Sequence, residues 1–204
     1  MLGVSLKKSY ESGNKEVRID WQGNVFTAIA EAKCVKGMLP QDFAFACGDN
    51  WMQCLTRVNP RCIKQTCVDR SDGLETAKLE IKTPFPLWNR TMFTTKYPSS
   101  NPNPNEVILV NSGLHLEKII KKHLTEDDKK NRVLGEVWLT AWKVTPVLDE
   151  KGTVTGSRVL FLNMIDMGAP IPEWVQNVVT SSGAADALEA FIKFAKHTSA
   201  KAKL

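Results

Sequence analysis

The stretch MIDMGAPIPEWVQNVV, Met164 to Val179, constrains the fold more than any other. An apolar strand runs through Asp166 and Gly168 into Ile171-Pro172-Glu173-Trp174 and becomes a helix almost without a loop. Gly168 permits a tight turn, and Pro172 suits a first helical turn, where a missing N–H costs nothing. From Ile171 onward, apolar residues recur at 171, 175, 178, 179, 185, 188, 192 and 195, which is helical spacing. A chain that turns so sharply from its last strand must lay the helix across the sheet it has just completed. Ser181-Ser182-Gly183 interrupts the apolar stripe and predicts a kink or local weakening. Residues 197–204 are expected to form a flexible tail.

Upstream, the pattern is mostly of strands. Strand-like runs from Val17 to Trp21 and from Val25 to Val35 flank the turn signal Gln22-Gly23-Asn24. Met38 to Asn50 predicts a short helix with Pro40 in its first turn, and Trp51 to Val58 a second. Further strands are expected at Arg61 to Asp69, Leu74 to Lys82, Thr91 to Tyr97, Glu106 to Ser112, Val133 to Val147 and Ser157 to Ile165. Pro98 to Asn105, rich in proline and asparagine, reads as a loop, and Leu116 to Arg132 as a charged, solvated connection that begins as a helical turn. Strands at hairpin spacing form an antiparallel sheet, and one amphipathic helix buries its stripe against it. The fold class is therefore α+β, and 1–204 is one domain.

Composition excludes more than it suggests. Of 204 residues, 43% are hydrophobic and 24% charged, which fits a globular chain. A net charge of +5 is too weak to argue for nucleic acid by itself and suits an anionic membrane surface equally well. The basic run Lys118, Lys121, Lys122, Lys129, Lys130, Arg132 is interleaved with Glu117, Glu126, Asp127 and Asp128 and lacks stacking aromatics, so no nucleic-acid partner is expected. No stretch approaches the ~20 apolar residues of a membrane span, and Met1 to Tyr10 lacks the apolar core of a signal peptide. The odd set Cys34, Cys47, Cys54, Cys62 and Cys67, with no C-x-x-C, fits a reduced intracellular protein. His115, His123 and His197 form no pair at metal spacing; His123 and His197 read as solvated surface. Phosphate-loop, dinucleotide and nucleophile-elbow signatures are missing. No catalytic residue, metal or cofactor is expected.

One polar feature stands out in the sheet. Period-two alternation puts Glu75 on a face with Ala77, Leu79 and Ile81, and Lys96 lies on the following strand. A charge on an apolar face needs a partner if buried, and Glu75 with Lys96 could be such a pair; an exposed pair at a sheet edge is the alternative.

With these residues in place, the chain resembles the START family of lipid-transfer domains. Asp166, Gly168, Ile171, Pro172, Trp174, Val175 and Asn177 match the family's closing motif. In GDNWMQC, Trp51 matches a Trp-Asp pair, with Met52 in place of the acid. In PLWNRTMFTTK, Arg90 and Phe93 match an Arg-Asp-Phe segment, with Thr91 in place of the Asp. GEVWLTAWKVTPV resembles the Gly-Trp strand, with Leu134 where an Arg usually precedes it. The resemblance runs from Ser5 to Lys196, although the family's N-terminal helix is short or missing.

The resemblance implies a helix-grip fold: a curved antiparallel sheet wraps the C-terminal helix and encloses an apolar tunnel holding one lipid, a sterol, phospholipid or sphingolipid. It implies that Glu75 and Lys96 meet the lipid's head. Thr140, Trp142, Asn163, Val175, Val178, Val179, Leu188 and Ile192 would line the tunnel, with Val137 and Leu139 as the alternative inward set on their strand. Trp51, Arg90, Asp166, Gly168, Pro172 and Trp174 would hold the structure, Trp174 pinning the helix base. The C-terminal helix would be the gate, and Lys193, Lys196, Lys201 and Lys203 could touch anionic headgroups. The expected protein is a monomeric, cytoplasmic, non-enzymatic carrier. The rivals are a helix-grip enzyme of cyclase or hydratase type and a lipid-responsive interaction module. Ala202-Lys203-Leu204 resembles a peroxisomal address.

Overall fold

The structure is a computed structural model and describes residues 8–12, 15–98 and 105–202, with the side chains of 8–14, 178–184 and 202 outside that description. Among the described residues, ten strands form one curved sheet. They are β1 (Lys8–Ser12), β2 (Lys15–Gln22), β3 (Val25–Lys36), β4 (Cys62–Ser71), β5 (Leu74–Ile81), β6 (Arg90–Tyr97), β7 (Val107–Ser112), β8 (Val133–Leu134), β9 (Glu136–Leu148) and β10 (Val154–Asp166). The order is β1-β2-β3-β10-β9-β7-β6-β5-β4, antiparallel throughout, with β8 parallel to β6 as a spur. Two hairpins, β2/β3 and β4/β5, therefore lie toward opposite sides of the sheet. The last strand, β10, fills the place between β3 and β9, so the helix that follows starts from the middle of the sheet.

That helix, α5 (Glu173–Ala202), lies on the inner face with α1 (Pro40–Phe43), its π-helical continuation Ala44–Asp49, and α2 (Trp51–Val58). The larger apolar cluster sits beneath the second half of α5. Trp142 stacks on Phe161 at 4.0 Å and meets Phe191 of α5 at 4.5 Å and Phe43 at 5.2 Å. Such ring pairs contribute roughly 0.5–1.5 kcal/mol each beyond area burial. Leu188, Ile192 and Ala195 join the same cluster, as do the small residues Ala28, Ala30 and Ala32 of β3, which let the helix come close. A second cluster, Trp51, Ala77, Leu79, Met92 and Val137, lies beneath α2.

Several expectations need correction. Residues 197–202 are not a flexible tail: α5 continues to Ala202, buried Ser199 donates to the Asp42 carboxylate, and Lys196 Nζ donates to the Lys36 carbonyl at 2.7 Å. These anchors join residues more than a hundred positions apart, which no local pattern reveals. The backbone of α5 is helical across Ser181-Ser182-Gly183, so no break occurs there. The expected strand from Val133 to Val147 is divided at Gly135, whose N–H bonds to Thr91. The Leu116 to Arg132 connection is two short helices, α3 (Glu117–His123) and α4 (Glu126–Asn131). His123 is half-buried rather than solvated, with its Nε2 enclosed. Pro172 stands one residue before α5, and its carbonyl accepts from Val175 and Gln176.

Trp174 does not pin the helix. Its side chain is 50% exposed, because successive helical residues point about 100° apart and the inward positions are Ile171 and Val175. Trp174→Ala is expected to change stability by less than about 0.5 kcal/mol. Val175→Ala is expected to cost about 2 kcal/mol. Chemical denaturation of the two variants reads the difference.

Candidate functional site

The inner face carries a polar row. Residues directly opposite one another in an antiparallel sheet share a face. Glu75 of β5 is opposite Lys96 of β6, Lys96 opposite Asn111 of β7, Asn111 opposite Thr140 of β9, and Thr140 opposite Asn163 of β10. Beyond Asn163 the row ends in apolar Ala28 and Ile19. Five polar side chains on five adjacent strands span roughly 19 Å at the usual strand spacing. The rung on one side of the row belongs to the larger cluster (Leu109, Trp142, Phe161), and the other side leads to Ala77, Val137 and Ile165 of the second. The row thus divides two apolar regions.

A β-bulge sets which part of β9 faces in. The pairing slips between Met164/Leu139 and Ile165/Val137, leaving Trp138 as the extra residue. Val137, Thr140 and Trp142 consequently all face inward, and Leu139 faces out. Of the two alternative sets on this strand, Thr140 with Trp142 is therefore wholly inward, and Val137 with Leu139 only at Val137. Trp142, Leu188 and Ile192 sit in closed packing in the larger cluster, and Val175 is buried at the start of α5. Val178 and Val179 have side chains outside the described residues.

The charged end of the row is open. A polar cavity of about 470 Å³ is lined by Asp49, Arg70, Gly73, Leu74, Glu75 and Lys96. Glu75 and Lys96 are neighbours in register, yet the expected direct ion pair is replaced by separate contacts. Glu75 accepts from Trp51 Nε1 at 2.6 Å and from Arg70 Nε at 2.9 Å. Lys96 Nζ donates to the Gly48 carbonyl at 3.1 Å, at the end of the π-helical turn. The indole bond from Trp51, then the charges of Arg70 and Lys96, hold the Glu75 carboxyl below its usual range against the opposing effect of burial. Further along the row, Thr140 Oγ1 donates to Asn163 Oδ1 at 2.8 Å.

The supporting residues cluster where α5 begins. Arg90 is fully buried, and burial lowers its pKa; Nε donates to the Met167 carbonyl at 3.1 Å and a terminal nitrogen to that of Trp88. Asp166 accepts from the Asn24 amide and from Gly168 N at 2.7 Å. Gly168 has φ +72°, and a Cβ there would stand 1.9 Å from the Leu134 carbonyl oxygen.

Sequence reasoning missed three residues of the site. Arg70 lies opposite Glu75, which follows from the Ser71-Asp72-Gly73 turn once β4 and β5 are paired through it. Asn111 becomes visible only when β7 is paired with β6 and β9. Thr94 shares the inner face with Met92 and Lys96; its hydroxyl is buried and has no hydrogen-bond partner among the described residues. Outside the site, the solvated reading of the 116–132 region is also incomplete. Its Asp128 is buried against Lys78 and Thr91 on the opposite face of the sheet, and its Arg132 pairs with Glu80.

The architecture is a helix grip: a curved antiparallel sheet closed by a long C-terminal helix. More particularly, the chain has the START fold. The crystal structure of human STARD10 superposes with a TM-score of 0.70 and 15% identity, over 94% of this chain and 73% of that one. Human StAR-related lipid transfer protein 5 gives 0.70 and 11%, over 96% and 88%. A STAR-related lipid transfer protein from Xanthomonas axonopodis gives 0.65 and 15%, over 94% and 98%. No protein-family model and no curated protein sequence matches the chain.

Proposed function

We propose that the protein is a non-enzymatic lipid carrier that holds one lipid between α5 and the inner face of the sheet. The polar row between two apolar clusters carries this reading. It offers hydrogen-bonding groups to a head and apolar surface on either side to a tail, where each buried CH₂ contributes about 0.8 kcal/mol. The START fold of the chain, shared with proteins whose names state lipid transfer, supports it. A lipid enters when part of α5 moves. The second half of the helix is fixed by the Trp142 cluster and by the Asp42 and Lys36 contacts, so the opening lies toward its first half. We further propose that the carrier acts as a cytoplasmic monomer and meets anionic membranes through exposed lysines such as Lys193 and Lys201.

Native mass spectrometry of the purified chain, with a donor-to-acceptor liposome assay, tests the reading. The expected result is one lipid per chain and protein-dependent exchange between vesicles. A chain that carries no lipid, takes none from vesicles and speeds no exchange overturns it.

A further inference from the structure

The residues around the polar row also indicate which kind of lipid head they suit; this step rests on the lipid-binding reading. Each cation near the row already makes a contact within the protein. Arg70 bonds to Glu75, Lys96 to the Gly48 carbonyl, and Arg90 to the carbonyls of Trp88 and Met167. The cavity at the charged end holds Arg70 and Lys96 together with Asp49 and Glu75, two positive charges against two negative. A phosphate placed there would face two carboxylates that compete with it for the two cations. Phosphate sites are built the other way, with donors that converge and have no competing acceptor.

The deeper part of the row is uncharged and retains hydrogen-bonding capacity. Asn111 makes no side-chain hydrogen bond among the described residues. Thr140 donates to Asn163, which leaves the Asn163 NH₂ and the Thr140 lone pairs for another group. Thr94 is the most telling. It is 4% exposed, its hydroxyl has no partner among the described residues, and it lies two residues along β6 from Lys96 on the same face. Buried hydroxyls are almost always satisfied, so this one lacks a group that a ligand can supply. Threonine hydroxyls and asparagine amides both donate and accept. Their complement is a hydroxyl or an amide, which also does both, whereas a phosphodiester only accepts.

We infer that the ligand is an uncharged lipid whose head presents a hydroxyl or an amide to Thr94, Asn111, Thr140 and Asn163, rather than a phospholipid.

The test offers the full chain vesicles of phosphatidylcholine that also contain diacylglycerol, ceramide or cholesterol, and identifies the bound species by native mass spectrometry. The expected result is uptake of one of the three uncharged lipids at least about tenfold above phosphatidylcholine. Asn111→Leu and Thr94→Val should each weaken that uptake about tenfold, the effect of one lost buried hydrogen bond. Thr94→Val should do so while leaving the melting temperature of the empty protein unchanged or raised, since it removes an unsatisfied hydroxyl. A purely structural role for Thr94 would lower it. Preferred uptake of phosphatidylcholine overturns the inference and leaves the carrier reading standing. Uptake of an uncharged lipid that neither substitution alters overturns it as well. Uptake of no lipid at all overturns the carrier reading itself.

Discussion

Gly168→Ala is expected to destabilise the protein by about 2–5 kcal/mol, enough to remove much of the stability of a typical domain. Two costs add. The backbone at φ +72° disfavours an L side chain by about 1–2 kcal/mol. The new Cβ would also stand 1.9 Å from the Leu134 carbonyl oxygen and 2.8 Å from its carbon, so backbone has to move. Overpacking of that kind costs about 1–3 kcal/mol by itself. The same turn is held by Asp166, which takes bonds from Gly168 N and Asn24, and by Arg90, which grips the Met167 carbonyl. Displacing Gly168 strains all three. Gly23→Ala is the control: φ there is +63°, but a Cβ would meet nothing within 4 Å. Urea melts should show Gly23→Ala losing only about 1 kcal/mol. Equal losses for the two variants would mean that the approach to Leu134 yields freely and that the turn does not fix where α5 begins.

Elements whose signal is local could be read from the sequence. Trp51 to Val58 is the helix expected, and the β2/β3 and β4/β5 hairpins follow their glycine-containing turns. The closing junction also reads correctly as strand, turn and helix. What was missed depends on pairing between distant segments. β1, with the sequence KSYES, lacks apolar alternation and is a strand because it adds to the edge of β2. Trp174 and Val175 are both apolar, and only the sheet beneath decides which of the two is buried. The polar row is the clearest case. Asn111 looks like the polar end of an apolar strand until β7 lies between β6 and β9, where it links Lys96 to Thr140. Likewise, Asp128 sits in a charged run that resembles any solvated helix; its burial comes from contacts with β5 and β6, 50 and 37 positions earlier in the chain.

Asp128→Ala is therefore expected to cost about 3–5 kcal/mol, the usual effect of removing one partner from a buried ion pair. The Asp128 side chain is 2% exposed and that of Lys78 11%. Asp128 also accepts from Thr91 Oγ1 at 2.9 Å and from the Thr125 backbone and hydroxyl at 2.8 and 2.6 Å, closing the capping box of α4. Alanine leaves the Lys78 ammonium without its partner and frees the helix start at once. A second change, Lys78→Met, should restore part of the loss, because it removes the stranded charge; a double-mutant cycle gives the coupling. The pH dependence has a definite sign. Burial alone would raise the Asp128 carboxyl, but the bonds from Lys78, Thr125 and Thr91 outweigh it and hold the group well below the usual carboxylate range. Its contribution is thus complete above the unfolded aspartate value of about 4 and is lost as the pH falls below that. Asp128→Ala should flatten that part of the acid limb of a stability–pH curve. A variant whose curve parallels the parent's across the limb would show that Asp128 does not titrate against the fold. Because this cluster lies on the face of the sheet opposite the polar row, lipid uptake per folded molecule should not change, which separates loss of stability from loss of the binding site.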